Sequence, residues 1–326
     1  MEWEAPESHA LDFRVLGPVE LLDHRSGARF APSGGKQRAL LAALVVRAGE
    51  VLSAERLIDE LWGDRPPARA ANALHAHVAR LRRLLPSTGD GSPEQARIAT
   101  HPLGYLLRLG SARTDAQYFS RLSAQGRAAV VADPAHAAEL LHRALDLWRG
   151  PALEGSGRGQ ICAREAERLE QSRLTTLETL YEAKLRSSRH EEVIGQLERL
   201  TAAHPTRERF YDLLMLALYR CGRQSEALGV YERARQRLMG EIGVGPGPAL
   251  RARMEAIMLR DPGLGAFEPA PASAESALTS LGGEIARLRN RIDVLRHEQE
   301  ELVHRFKLLS EASTGSPALF EDPSRL

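Results

Sequence analysis

Cysteine is scarce: Cys162 and Cys221 stand alone in 326 residues, with no CxxC pair and no paired histidine spacing. That pattern argues against a zinc site or a disulfide and for two free thiols in a reducing cytosol. Long apolar runs are also missing, none approaching the ~20 residues of a membrane span. The acidic start MEWEAPESHA has the wrong charge for a signal peptide, so the expected location is cytoplasmic, with no membrane partner. Net charge is nearly absent, with 44 Lys+Arg against 43 Asp+Glu, so bulk charge points to neither nucleic acid nor membrane. Lysine occurs only at Lys36, Lys184 and Lys307, so almost all positive charge is arginine, a bias that fits a GC-rich genome as well as bidentate contacts. Catalytic patterns are lacking too. Gly34-Gly35-Lys36 has neither the earlier glycine of a phosphate loop nor a Ser/Thr after the lysine, since Gln37 follows. His136, His142, His190 and His204 are scattered without a matched carboxylate, serine or cysteine, which argues against an enzyme. No cofactor or metal is expected.

What the chain does contain is enough apolar residue, 43%, and enough length for two or three cores. The stretch from Pro66 to Leu85, PPARAANALHAHVARLRRLL, organises the rest. Ala71, Leu74, Val78, Leu81 and Leu85 recur at helical spacing and predict a dry face. Arg69, Asn72, His75, Ala76, Arg80 and Arg83 share the other side, with His77 at the flank and no acid among them. Such a face suits the major groove, where Arg reads guanine, Asn reads adenine, and Ala73 and Ala76 permit close approach. Taken alone, a plain solvated helix face has equal standing. The surroundings favour DNA: from Arg65 to Arg108 seven arginines (Arg65, Arg69, Arg80, Arg82, Arg83, Arg97, Arg108) meet only Asp90 and Glu94, a local positive excess of the kind phosphate binding requires.

Upstream, Phe13 to Leu22 reads as two extended pieces broken by Gly17-Pro18, followed by a turn and Arg29 to Ala31, which predicts a small antiparallel sheet. A helix from Lys36 to Ala48 ends at Gly49, and a second from Ala54 to Trp62 is capped by Ser53. Pro66-Pro67 is read as the start of the central helix. Downstream, RIATHPLGYLLRL predicts a hairpin turning at Pro102 to Gly104. Sheet, three helices and hairpin make a winged helix-turn-helix. Its DNA-contact candidates are Asn72, His75, His77, Arg80 and Arg83 on the central helix, Lys36 at a helix start, and His101 and Tyr105 in the hairpin, Tyr105 being equally suited to packing inside the wing.

The stretches GGKQRALLAAL, VLSAERLIDELWG, the central helix and the GYLL hairpin resemble the winged-helix domain of the Streptomyces antibiotic regulatory protein family, related to response-regulator output domains. Farther on, ALDLWRGPALEG, the long helix after Cys162 and EIGVGPGPALRARMEAIM resemble the bacterial transcriptional activation domain that follows in that family. The resemblance covers residues 11 to 262. It implies an activator of a secondary-metabolite gene cluster that binds direct repeats in promoter DNA and recruits RNA polymerase holoenzyme.

Independently of that resemblance, this second part reads as all helix, in runs 137–148, 163–186, 191–203, 207–221 and 225–240. The last two approximate the ~34-residue unit of tetratricopeptide repeats, with Ala227 and Tyr231 placed to pack between helices. A Pro/Ala/Gly linker follows. Then Leu278, Leu281, Ile285, Leu288, Ile292, Leu295, Gln299, Leu302, Phe306 and Leu309 step three, four, three, four, which is a coiled-coil seam. Ile at inner a positions with Leu at each d position favours a parallel homodimer held by Leu281, Ile285, Leu288, Ile292, Leu295 and Leu302. Arg291 would face Arg296 in that pairing, so an antiparallel pair, a foreign partner chain or a helix folded back on the helical domain stay open.

The expected architecture is mainly α: a disordered N-terminus (1–10), a winged-helix domain (11–110), a tetratricopeptide-like helical domain (115–262), a linker (263–276), a coiled-coil helix (277–312) and a disordered tail (313–326). Two other function classes remain beside the DNA-binding activator, namely a helical-repeat interaction scaffold and a ligand-responsive regulator.

Overall fold

A computed structural model describes residues 11–265 apart from residue 25, residues 86–96 and residue 158. The expected N-terminal segment 1–10, the coiled-coil helix 277–312 and the tail 313–326 lie outside the described residues, as does the expected linker beyond residue 265; its first residues are not linker but part of a short helical turn, Pro262–Gly265, because Leu264 is buried on the helical core and its carbonyl accepts from Arg220.

Among the described residues the strands form two sheets. β1 (Leu11–Arg14), β2 (Glu20–Asp23) and β3 (Arg29–Phe30) give the antiparallel part of the first. After α1 (Gly35–Val46), β4 (Val51–Ser53) leads into α2 (Ala54–Trp62), whose first turn is capped as expected by the Ser53 side chain accepting from the Arg56 amide. α3 (Ala70–Leu84) follows, then β5 (Ile98–His101) and β6 (Gly104–Leu107). The second sheet runs β4-β6-β5, so the expected hairpin gains a third strand from the segment in front of α2. β4 lies close against the start of β6: a Cβ on Gly104 would overlap the Leu52 carbonyl.

Two sequence expectations on the central helix need correction. The helix begins at Ala70, not at Pro66-Pro67, because the first of two consecutive prolines is pushed out of the helical region by the second. Ala71 is exposed, so the dry stripe is Leu74, Val78, Leu81 and Leu85.

β7 (Arg113–Thr114) pairs parallel with β1 and completes the first sheet. Thr114 then starts α4 (Asp115–Ala129) with a reciprocal cap, its hydroxyl accepting from the Gln117 amide while the Gln117 side chain accepts from the Thr114 amide. The Asp115 carboxylate accepts from Val15 N (2.8 Å) and Leu16 N (3.0 Å), with Arg149 3.6 Å away. Burial pushes this carboxyl up, opposed by those two amides and by Arg149. α5 (Pro134–Leu145) starts at the Asp133 cap and stops three residues short of the expected Trp148. The following segment, from Trp148 to Leu153, leaves the helix to dock on the two residues after β1: Arg149 N donates to Leu16 O, and Leu153 N to Val15 O, both at 2.8 Å.

α6 (Gln160–Arg186), α7 (His190–Ala203), α8 (Glu208–Arg220), α9 (Gln224–Ile242) and α10 (Pro248–Met258) follow, each packing on its neighbours around a core of Phe210, Leu214, Ala227, Val230 and Leu250. Ala227 is buried and Tyr231 half-buried between these helices. The winged-helix core itself takes in Leu153, Ile161 and Cys162, so the first turn of α6 belongs to the same apolar cluster as α1, α2 and α3.

Candidate nucleic-acid interface

α3 carries no acidic residue, and Asn72, His75, Ala76, Ala79, Arg80 and Arg83 are exposed. Steps of three, four and seven put them on one face, opposite the Leu74, Val78 and Leu81 side chains that seat the helix. His77 sits half-buried at one flank, its ring 6.0 Å from that of Trp62 at the end of α2. The other flank faces the hairpin. Arg82 donates to the Ile98 carbonyl (2.9 Å) and the Thr100 hydroxyl (2.7 Å), and the His75 ring meets Tyr105 edge-on at 6.2 Å. This acid-free exposed face is thus held between α2 on one side and the wing on the other.

The remaining candidates fall differently. Tyr105 is 5% exposed and packs in the wing core; burial raises its hydroxyl pKa, with Arg82 acting the other way. Of its two sequence readings, the packed one describes its position, and its contact with the face runs through His75. The Lys36 ammonium donates to the Leu61 carbonyl and lies 5.9 Å from the Trp62 ring centre, so it closes the C-terminal end of α2. His101 is exposed at the end of β5, its Nδ1 accepting from the Leu103 amide at 3.3 Å. Two arginines of the local positive excess have internal roles. Arg97 is buried, bonded to the Leu109 carbonyl at 2.8 Å and stacked near Phe13, while Arg82 is the staple just described. The seam residues Leu281, Ile285, Leu288, Ile292, Leu295 and Leu302 lie outside the described residues.

The sequence pattern gave no role to Trp62 or Glu60 and counted Arg82 only as part of the local positive charge. Glu60 left a readable trace: it falls beside Leu57 and Leu61 on the inward stripe of α2, where an acid needs a buried partner. Among the described residues no group of three or more His, Cys, Asp or Glu side chains could hold a metal, and no helix is long and apolar enough to cross a membrane.

A winged helix-turn-helix joined through a shared core to a helical domain defines a class of bacterial transcriptional regulators. Residues 32–107 match the family described as "Transcriptional regulatory protein, C terminal", and residues 114–258 match the "Bacterial transcriptional activator domain". The chain is 43% identical over 254 residues to the transcriptional regulator RedD of Streptomyces coelicolor, covering 77% of this chain and 71% of RedD. It is 36% identical over 273 residues to the regulatory protein DnrI of Streptomyces peucetius, covering 82% of this chain and all of DnrI. The structure of Mycobacterium tuberculosis EmbR in complex with a low affinity phosphopeptide superposes with a TM-score of 0.70 at 33% identity, covering 86% of this chain and 72% of EmbR. The chain belongs to the Streptomyces antibiotic regulatory protein family of transcriptional regulators.

Proposed function

We propose that the chain is a sequence-specific DNA-binding activator of a secondary-metabolite gene cluster, acting in the cytoplasm by binding and not by catalysis. The observation that carries this is the acid-free outer face of α3, where Asn72, Arg80 and Arg83 point away from the core between two structural flanks. Asn72 and Arg80 supply the paired donors and acceptors that read base edges; His75 and Arg83 reach phosphates, and His101 adds a backbone contact from the wing. The protein binds direct repeats in the promoter, its helical domain contacting a neighbouring protomer or RNA polymerase holoenzyme. Modest affinity per module is then raised by neighbours on one DNA segment. The division into a winged-helix domain at 11–110 and a tetratricopeptide-like helical domain at 115–262 belongs to this reading.

A gel shift on promoter fragments over a salt series tests it. Affinity must fall steeply with salt, by one power for roughly each phosphate contacted. Salt-independent binding, or no preference for promoter over random DNA, would favour an interaction scaffold whose winged helix binds protein.

A further inference from the structure

The most buried charged contact between the recognition scaffold and α6 lies behind the reading face. Glu60 of α2 is 6% exposed, and its two carboxylate oxygens accept from Ile161 N (2.7 Å) and Cys162 N (3.0 Å) in the first turn of α6. The N-terminus of a helix leaves amides unpaired and carries partial positive charge. α6 has no side-chain cap of its own, since its N-cap is Gly159. The cap is supplied from the helix-turn-helix, about a hundred residues earlier in the chain. Gly159 is fitted to it: a Cβ there would overlap the Glu60 carboxyl group.

Apolar packing holds this joint on one side, through Ile161 and Cys162 in the shared core. Beside it lies a cleft of about 860 Å³ between α2 and α6, lined by Glu60, Gly159 and Ile161 together with Arg56 and Arg164, so apolar contact holds the two helices from one side only. On the far side of α2 the contacts continue to the reading face. The Leu61 carbonyl takes the Lys36 ammonium, and the Trp62 ring tilts against His77 of α3. From the first turn of α6 to the recognition helix there is an unbroken run of named contacts.

We infer that Glu60 is a positioning residue that fixes the helical domain at one angle to the recognition helix, so that engagement of DNA by α3 sets where the helical domain presents its own contacts. This rests on the DNA-binding reading above. Without the cap the winged helix keeps the part of its core built from its own elements, Leu40, Leu44, Leu57, Leu74, Val78 and Leu81 among them, so recognition of one repeat survives its loss. What is lost is the alignment needed for a second protomer.

The test uses the full chain with Glu60→Ala, Glu60→Gln and Gly159→Ala. On a duplex with a single repeat, Glu60→Ala changes affinity by no more than about twofold, whereas the affinity gained from a second repeat drops about tenfold. Glu60→Gln, which keeps one acceptor, falls between. Gly159→Ala reproduces the loss from the other side of the contact, and the double variant is no worse than Gly159→Ala alone. Equal losses on one and two repeats, or no loss on either, overturn the inference. A second measurement needs no DNA. Spin labels at Ala79 and Ser225, in a Cys221→Ser background, give a narrow distance distribution in the parent chain and a broadened one with Glu60→Ala. An unchanged width removes the positioning role even if the DNA reading holds. A broadened width with no promoter binding by the parent chain leaves the joint standing and removes the DNA reading instead.

Discussion

The Arg82 guanidinium lies 2.7 Å from the Thr100 hydroxyl and also donates to the Ile98 carbonyl at 2.9 Å, so one side chain of α3 pins the wing beside it. An arginine here does what a lysine cannot, since two nitrogens of one planar group reach two acceptors on the same strand. Replacing Arg82 by Ala should lower stability by about 1 kcal/mol, the usual net value of such bonds near the surface. Arg82→Lys should recover less than half of that. Thermal unfolding checks both, and a melting temperature unchanged by Arg82→Ala would show that the wing is held by its apolar contacts alone.

On the reading face, Asn72→Ala and Arg80→Ala should each weaken promoter binding by ~1 to 3 kcal/mol if they make bidentate base contacts, and relax sequence preference at the positions they read. Arg83→Ala should weaken all sequences evenly and reduce the salt slope by about one unit. Binding to a library of randomised sites separates the two behaviours. Unchanged preference in both Asn72→Ala and Arg80→Ala would remove α3 as the reading helix.

The parts of this fold that could be read from the chain are those whose signals are local. Ser53 ahead of an apolar period fixed the start of α2, and the stripe Leu74, Val78, Leu81 announced α3. What escaped depended on distant partners. β7 is two residues long and exists because Asp12 and Phe13 lie beside it. α4 shows little apolar stripe because Ser123 and Gly126 stand on its buried face, where Gly126 lets Leu141 approach closely. At the site, the spacing on α3 was sufficient to find the exposed face. Lys36 and Tyr105 could not be sorted from sequence, since nothing near them in the chain shows that Leu61 and the wing core claim them.

His77 should give the stability of the fold a pH dependence. Its ring is half-buried against Trp62, its Nδ1 is buried without a hydrogen-bond partner, and its pKa is lowered by burial first and then by Arg80 and Lys36. The folded value therefore lies below the unfolded one, and the fold prefers the neutral ring. The stability this provides is fully present above the ordinary histidine value of about 6.5 and is lost as pH falls through the depressed folded value. His77→Gln should flatten the fall in melting temperature between neutral and mildly acid pH. An NMR titration of the parent chain should place the His77 midpoint below the ordinary value, and a midpoint at or above it would contradict this account of the flank.

The seam from Leu278 to Leu309, outside the described residues, makes a prediction about mass. If Leu281, Ile285, Leu288, Ile292, Leu295 and Leu302 pair with a second copy, each contributes ~1.5 to 3 kcal/mol of burial before ordering costs, enough to associate through about five heptads. The expected outcome is a dimer of the full chain by light scattering at micromolar concentration, and a monomer for a version ending at Pro262. Dimerisation before DNA binding would turn the second contact into an intramolecular one, so deleting residues 275–312 should weaken binding to two repeats more than to one. The deletion differs from loss of the Glu60 cap in one measurable respect: it lowers two-repeat affinity by removing the tether and leaves the distance between Ala79 and Ser225 within each protomer unchanged. A monomeric full chain would assign the seam to another protein or to a helix folded back on its own chain.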